Sequence, residues 1–129
     1  MIKGLGKLEV ITLFAEDLAA TRAFYTDVFG LEVVYENDDS AVIKFDNLMI
    51  NVLTVANAPE LVTPSPVGGT DAAPRALFTI EVADADTVCA ALEQHGVRLI
   101  NGPVDRPWGR RTAAFADPAG HVWEIAQIL

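Results

Sequence analysis

The 129-residue chain is poor in cysteine, in basic residues and in histidine, and it lacks any long apolar run. Each shortage removes a class of protein. One cysteine, Cys89, cannot close an internal disulfide, so the core must hold the fold, as expected in a reducing cytoplasm. Cys89 lies in an alanine-rich helical stretch, where a thiol packs as a small apolar group. Nine Lys and Arg stand against eighteen Asp and Glu, a formal charge of −9. That balance argues against a nucleic-acid partner, whose phosphates call for basic patches. An acidic field instead attracts cationic ligands, or simply keeps the chain soluble. No run reaches the length of a membrane span, and Met1 to Gly4 opens no signal-peptide block. The expectation is therefore a cytoplasmic protein with no membrane partner. His95 and His121 read as a helix-end residue and a turn residue, without a partner histidine at ligand spacing. No Ser/His/Asp or Cys/His set and no phosphate-binding glycine loop is present.

What the chain does have is a repeat. Residues 8–14 alternate and are β-rich, predicting a strand. Asp17 reads as a helix N-cap, and Leu18, Ala23, Phe24 and Val28 carry one helix up to Gly30. Residues 31–35 predict a strand, Asn37 to Ser40 a turn, and 41–45 with 48–55 a hairpin about Asp46-Asn47. The second half repeats the order. Residues 76–82 predict a strand, and Asp84 caps a helix carrying Val88, Cys89, Ala91 and Leu92 and ended by Gly96. A strand follows at 97–100, then a loop over 101–109 with Pro103, Pro107 and Trp108. Residues 111–116 and 121–128 predict a closing hairpin across Asp117-Pro118-Ala119-Gly120. Between the halves, 56–75 holds Pro59, Pro64, Pro66, Pro74, Gly68 and Gly69 and reads as a linker, either an ordered cover or a mobile connector. About half the residues are apolar, enough for a core at this size. The expectation is one domain over 1–129, with half-modules 8–55 and 76–128.

Leu13-Phe14-Ala15-Glu16-Asp17-Leu18, followed by Phe24-Tyr25-Thr26-Asp27-Val28-Phe29-Gly30-Leu31, resembles the first-strand exit and helix end of the vicinal oxygen chelate superfamily. That group includes glyoxalase, extradiol dioxygenases, fosfomycin-resistance enzymes and bleomycin-resistance binding proteins. Pro107-Trp108-Gly109-Arg110-Arg111 and Phe115-Ala116-Asp117-Pro118-Ala119-Gly120-His121 resemble its ending. The resemblance spans the chain outside the linker. It implies an α+β fold of two βαβββ modules forming an open, barrel-like cavity, and it does not specify an activity.

The resemblance also implies four metal-ligand positions, two on each module. They fall on Val10 and Leu77, seven residues before Asp17 and Asp84, and on Asn51 and Glu124. Val and Leu have no donor atom, and a divalent ion needs three or more N, O or S ligands. No metal and no other cofactor is expected.

Strand alternation then sorts the remaining side chains. If Val10 and Leu77 face the cavity, so do Leu8, Thr12, Phe14, Arg75, Thr79 and Glu81. Met49 and Leu53 go with Asn51, and Val122 and Ala126 with Glu124. Ile11, Leu13, Phe78, Ile80, Val82, Trp123 and Ile125 are expected to pack on the helices. The cavity wall is then apolar with Thr12, Asn51, Thr79, Glu81 and Glu124 as polar points, the composition of a small-molecule site. Trp108 either stacks on a planar ligand or anchors its loop to the core. Glu124 has three readings: acceptor for a cationic or amide group, general base, or partner of Arg75, Arg110 or Arg111. Single chains of this resemblance commonly dimerise, with Leu5, Leu8 and the edge strands as candidate contacts. The expected protein is a homodimer that sequesters an aromatic or cationic small molecule, in the manner of the antibiotic-resistance branch. The rival is a lyase, isomerase or dioxygenase of the same superfamily. A third reading is a regulatory or interaction module with a filled cavity.

Overall fold

Each module starts from a β-branched strand that must bury one face, and a capped amphipathic helix covers that face. The computed structural model describes residues 1–129. It divides into two units, Met1–Thr70 and Asp71–Leu129, and the boundary falls inside the predicted linker. No helix is long and apolar enough to cross a membrane.

The first unit runs β1 (Val10–Ala15), α1 (Leu18–Ala23), β2 (Glu32–Glu36), β3 (Ser40–Lys44), β4 (Met49–Thr54) and a short α2 (Pro59–Val62). Its sheet has the order β1-β4-β3-β2, with β1 parallel to β4 and the other pairs antiparallel. Asp17 caps α1 as expected, accepting the Ala20 N–H at 3.0 Å. The predicted single helix to Gly30 is not uniform: Phe24–Val28 is a π-helical turn. Aromatic rings pack around that widened turn. Phe24 and Phe29 both meet Tyr25 edge-on, at 5.4 and 5.1 Å, and Phe29 meets Phe45 at 6.0 Å. Leu13, Ala15, Ala41, Ile43, Ile50 and Val52 form the buried sheet face, and Thr21 and Tyr25 of the helical segment are fully buried. Inside the predicted linker, α2 begins with Pro59 in its first turn, where a missing N–H costs nothing.

The second unit repeats the plan with β5 (Phe78–Glu81), α3 (Ala85–Gln94), β6 (Leu99–Arg106), β7 (Arg110–Ala116) and β8 (Val122–Ile128), in the order β5-β8-β7-β6. Again the first and last strands are parallel. Asp84 accepts the Thr87 N–H at 3.1 Å, and this bond holds its carboxyl below the usual aspartate range. Helix α3 lays Ala85, Cys89 and Leu92 on Ala113, Phe115, Trp123 and Ile125, all buried. Burial raises the Cys89 thiol pKa, so the free thiol is a packing group. Neither sheet closes on itself; β1 and β2 are the edges of one, β5 and β6 of the other.

The motifs that carry the family resemblance act as punctuation. Buried Asp117 accepts the N–H groups of Ala119 and His121 at 3.0 and 2.9 Å, which turns β7 into β8. Pro107-Trp108-Gly109 is a three-residue hairpin loop. Gly109 has φ +83°, and its N–H returns to the Arg106 carbonyl at 3.0 Å.

Ion pairs matter less than packing here. Arg22 and Glu36 meet at 2.6 Å but are 38% and 51% exposed, so screening limits the pair to less than about 1 kcal/mol. Removing one buried aromatic such as Phe115 would cost roughly 3–5 kcal/mol. Arg111 bonds Asp105 at 2.6 Å and Asp86 at 3.1 Å, tying β7 to β6 and to the first turn of α3. Its guanidinium holds the Asp105 carboxyl below the usual range, and Asp105 in turn raises the Arg111 pKa.

Residues 101–109 were expected as loop, because Asn-Gly-Pro is turn chemistry; instead β6 continues through Arg106. A bulge absorbs Gly102-Pro103: Asn101 pairs Ala114, and the next registered pair is Val104 with Thr112. Pro103 is tolerated because β6 is an edge strand. Gly102 has φ +84°, and a Cβ there would collide with the Thr112 carbonyl and lie 2.8 Å from Ala113 Cα. Gly102→Ala is therefore expected to destabilise the protein by about 2 kcal/mol or more. An unchanged urea midpoint would contradict this bulge geometry.

Candidate functional site

The second sheet has one face under α3 and one face turned from it. Gln127 accepts the Ala85 N–H at 2.8 Å, and Arg111 reaches Asp86, so odd-numbered residues of β7 and β8 face the helix. Even-numbered ones face away. Register then lays out the helix-free face. Thr79, Glu124, Ala114 and Asn101 stand side by side, with Glu81, Ala126, Thr112 and Val104 in the next row. Ile128, Arg110 and Arg106 complete the hairpin end.

Within this face the threonine hydroxyl of Thr79 donates to Glu124 Oε1 at 3.0 Å. Glu124 is half-buried, and that bond orients the carboxylate while leaving the second oxygen free to accept. The arginine reading of Glu124 fails for Arg111, which lies on the helix side and is committed to two aspartates. Glu124 forms no ion pair. Glu81, exposed, is one row further along the same face. Trp108 sits in the β6–β7 loop and is 68% exposed, so it does not anchor that loop to a core. The Arg106 guanidinium lies 6.0 Å from its ring centre.

The first sheet has the corresponding row: Thr12, Asn51, Val42 and Tyr35 stand side by side. Here Thr12 does not reach its neighbour. The side-chain oxygen of Asn51 is buried and has no hydrogen-bond partner. Such an atom carries its desolvation cost uncompensated, about 1–3 kcal/mol. One threonine–carboxylate pair and one threonine–amide pair thus occupy matching positions of the two modules.

These residues do not fit a family-type metal centre. Val10 lies one row from Asn51, beside Met49, and supplies no donor. Leu77, just before β5, supplies none either. No group of three or more His, Cys, Asp or Glu side chains is gathered to hold an ion. His95 ends α3, and the backbone of His121 belongs to the Asp117 turn. A carboxylate and an amide, each on its own sheet, fall short of the donor set a divalent ion requires.

Sequence reasoning missed Asn101 and Arg106 as members of this face, and offered Arg110 only as a partner for Glu124. Reading 101–109 as loop hid their alternation. The signal was available in Arg106 and Arg110 flanking a three-residue Pro-Trp-Gly turn, the spacing of a hairpin's closing pair.

Known proteins share this architecture. The glyoxalase/bleomycin resistance protein/dioxygenase superfamily model matches residues 7–125. An uncharacterized protein, YraH of Bacillus subtilis strain 168, is 30% identical over 128 residues, covering 95% of this chain and 99% of that protein. A glyoxalase-related enzyme from Fulvimarina pelagi has a TM-score of 0.81 at 27% identity, with coverage of 95% and 88%. A lactoylglutathione lyase from Agrobacterium tumefaciens has a TM-score of 0.76 at 24% identity, with coverage of 97% and 96%. The lyase likeness, below 25% identity, carries the fold alone.

The orphaned Asn51 oxygen gives a stability test. Asn51→Leu keeps the branched outline and the number of side-chain heavy atoms and removes the unpaired acceptor, so unfolding free energy is expected to stay level or rise by up to about 1 kcal/mol. A loss of more than that in denaturant titration would mean that Asn51 serves the fold.

Proposed function

The chain belongs to the glyoxalase/bleomycin resistance protein/dioxygenase superfamily, and on that premise we propose that it is a metal-independent small-molecule binding protein. Its ligand is an aromatic or cationic compound, and sequestration of such a compound is its role. The observation that carries the reading is the helix-free face of the second sheet. There an oriented carboxylate, Glu124, and an exposed indole, Trp108, accompany the exposed apolar side chains Val104 and Ile128. Polar points on an apolar ground are what a small-molecule site needs. A carboxylate with one oxygen already bonded accepts a charge-assisted bond from an ammonium or amidinium group. The acidic chain supports capture of cations through its long-range field.

The alternative is a lyase, isomerase or dioxygenase of the same superfamily. The likeness to a glyoxalase-related enzyme favours it. The donor-less Val10 and Leu77 weigh against its metal-dependent forms, leaving Glu124 as a metal-free base.

A thermal-shift series separates these readings. A ligand at about a hundred times its Kd adds roughly 2.7 kcal/mol, several degrees for a domain of this size. Planar aromatic amines are expected to raise the midpoint, and Ni, Zn, Mn and Fe salts to leave it unchanged. Glu124→Gln is expected to weaken amine binding about tenfold or more. Stabilisation by one divalent metal alone would sink the metal-independent reading. Turnover that Glu124→Gln abolishes while binding persists would favour the enzyme.

The same proposal includes a homodimer. Exposed Met1, Ile2, Leu5 and Leu8 support it, because a solvent-facing apolar segment is stabilised by a partner surface. Sedimentation velocity is expected to give twice the chain mass, and Leu5→Asp with Leu8→Asp to give one. A wild-type monomer at micromolar concentration would refute the dimer.

A further inference from the structure

We propose that Arg106 and Arg110 form a clamp for the acid group of a planar aromatic carboxylate whose ring lies on Trp108. This inference rests on reading the helix-free face of the second sheet as a ligand surface, and it names the ligand's chemistry at the hairpin end.

Four observations lead there. First, Arg106 and Arg110 are the closing pair of the β6–β7 hairpin and stand directly opposite each other. Like charges so placed are destabilising, and Arg110 makes no side-chain bond that offsets the cost. Second, neither arginine forms an ion pair, although the chain has eighteen acidic residues and Arg22 and Arg111 do find carboxylates. Third, Arg106 is held in place by neutral groups. Its Nε–H donates to Thr112 Oγ at 3.0 Å, Thr112 is almost fully buried, and one terminal nitrogen lies 3.4 Å from Asn101 Oδ1. The planar fork is thus fixed before any anion arrives, with donors remaining on its outer edge. That is the arrangement for bidentate carboxylate binding. Fourth, Trp108 is exposed beside it, with Val104 and Ile128 also exposed on the same face. An inorganic anion has no use for that apolar ground, whereas an aromatic acid covers it while its carboxylate neutralises the two cations.

The pair also discriminates. In a chain of net charge −9, the two arginines make a local positive field that favours an acid group at the hairpin end and leaves an ammonium group to Glu124 and Glu81, rows away on the same face. The face is therefore polarised, with Glu81 and Glu124 toward β5 and β8 and the arginines toward the hairpin.

The test uses the intact chain and two probes, naphthoate and naphthylmethylamine, followed by calorimetry and by quenching of tryptophan fluorescence. Naphthoate is expected to bind saturably. Arg106→Gln and Arg110→Gln should each weaken it about tenfold or more, the loss of a charge-assisted bond. Arg106→Lys should restore only part of that loss, because it returns the charge without the fork. The ligand-free melting midpoint should not fall in Arg110→Gln, since that change relieves repulsion. Unchanged naphthoate affinity in both Gln variants overturns the clamp. Naphthylmethylamine binding that depends on Glu124, with no naphthoate binding, overturns the clamp and leaves the ligand-surface reading standing. Binding of neither probe overturns both.

Discussion

The parallel pairing of the first strand of each module with its last is the constraint on which the rest depends. β1 against β4 and β5 against β8 bring residues some forty positions apart in the chain into register. A slip of one residue in the β5–β8 pair would turn Thr79 or Glu124 from the helix-free face into the core, and one in β1–β4 would do the same to Thr12 or Asn51. The slip is blocked because the other face is buried: Ile50, Val52, Trp123 and Ile125 have no alternative place out of water. Apolar burial on one side thus fixes the polar side chains on the other. The helix caps Asp17 and Asp84 enforce it locally by setting where each crossover begins.

The motifs by which the chain is recognised are mostly devices for building that frame. Asp17 and Asp84 start helices, Gly30 and Gly96 end them with positive φ, and Asp117 turns the last hairpin. Each satisfies backbone groups that any βαβββ module must satisfy. None touches a candidate ligand. This explains in physical terms why membership of the superfamily identifies the architecture without naming the chemistry, which falls to positions such as Glu124 and Arg106 and to Trp108 and Arg110 of the hairpin motif.

Those other positions are where local rules are broken. A buried amide oxygen lacks a partner in Asn51, an indole is left in solvent at Trp108, and two arginines face each other at the hairpin end. The first leaves a polar atom without a partner, the second leaves apolar surface in water, and the third sets like charges side by side. Departures of this kind are expected where a sequence serves a ligand as well as a structure. The proposed site gathers two of them on the second sheet and finds its counterpart row in the first.

Read along the chain, the repeat was legible because its signals are local. Strand alternation in residues 8–14, caps at Asp17 and Asp84, and the Asp117 turn need only neighbours a few residues away. The helix-facing set Leu13, Trp123 and Ile125 followed from alternation once a helix was assumed, and these residues are buried. The π-helical turn at Phe24–Val28 was not legible, because it answers to aromatic packing with Phe45. Nor was the continuation of β6, because Asn101-Gly102-Pro103 has turn chemistry and only pairing with β7 makes it a bulge. The Thr79–Glu124 bond shares that dependence. The sequence by itself determined which residues could alternate, cap and turn. The tertiary structure alone decided which stand beside one another, because register between distant strands is a property of the assembled sheet.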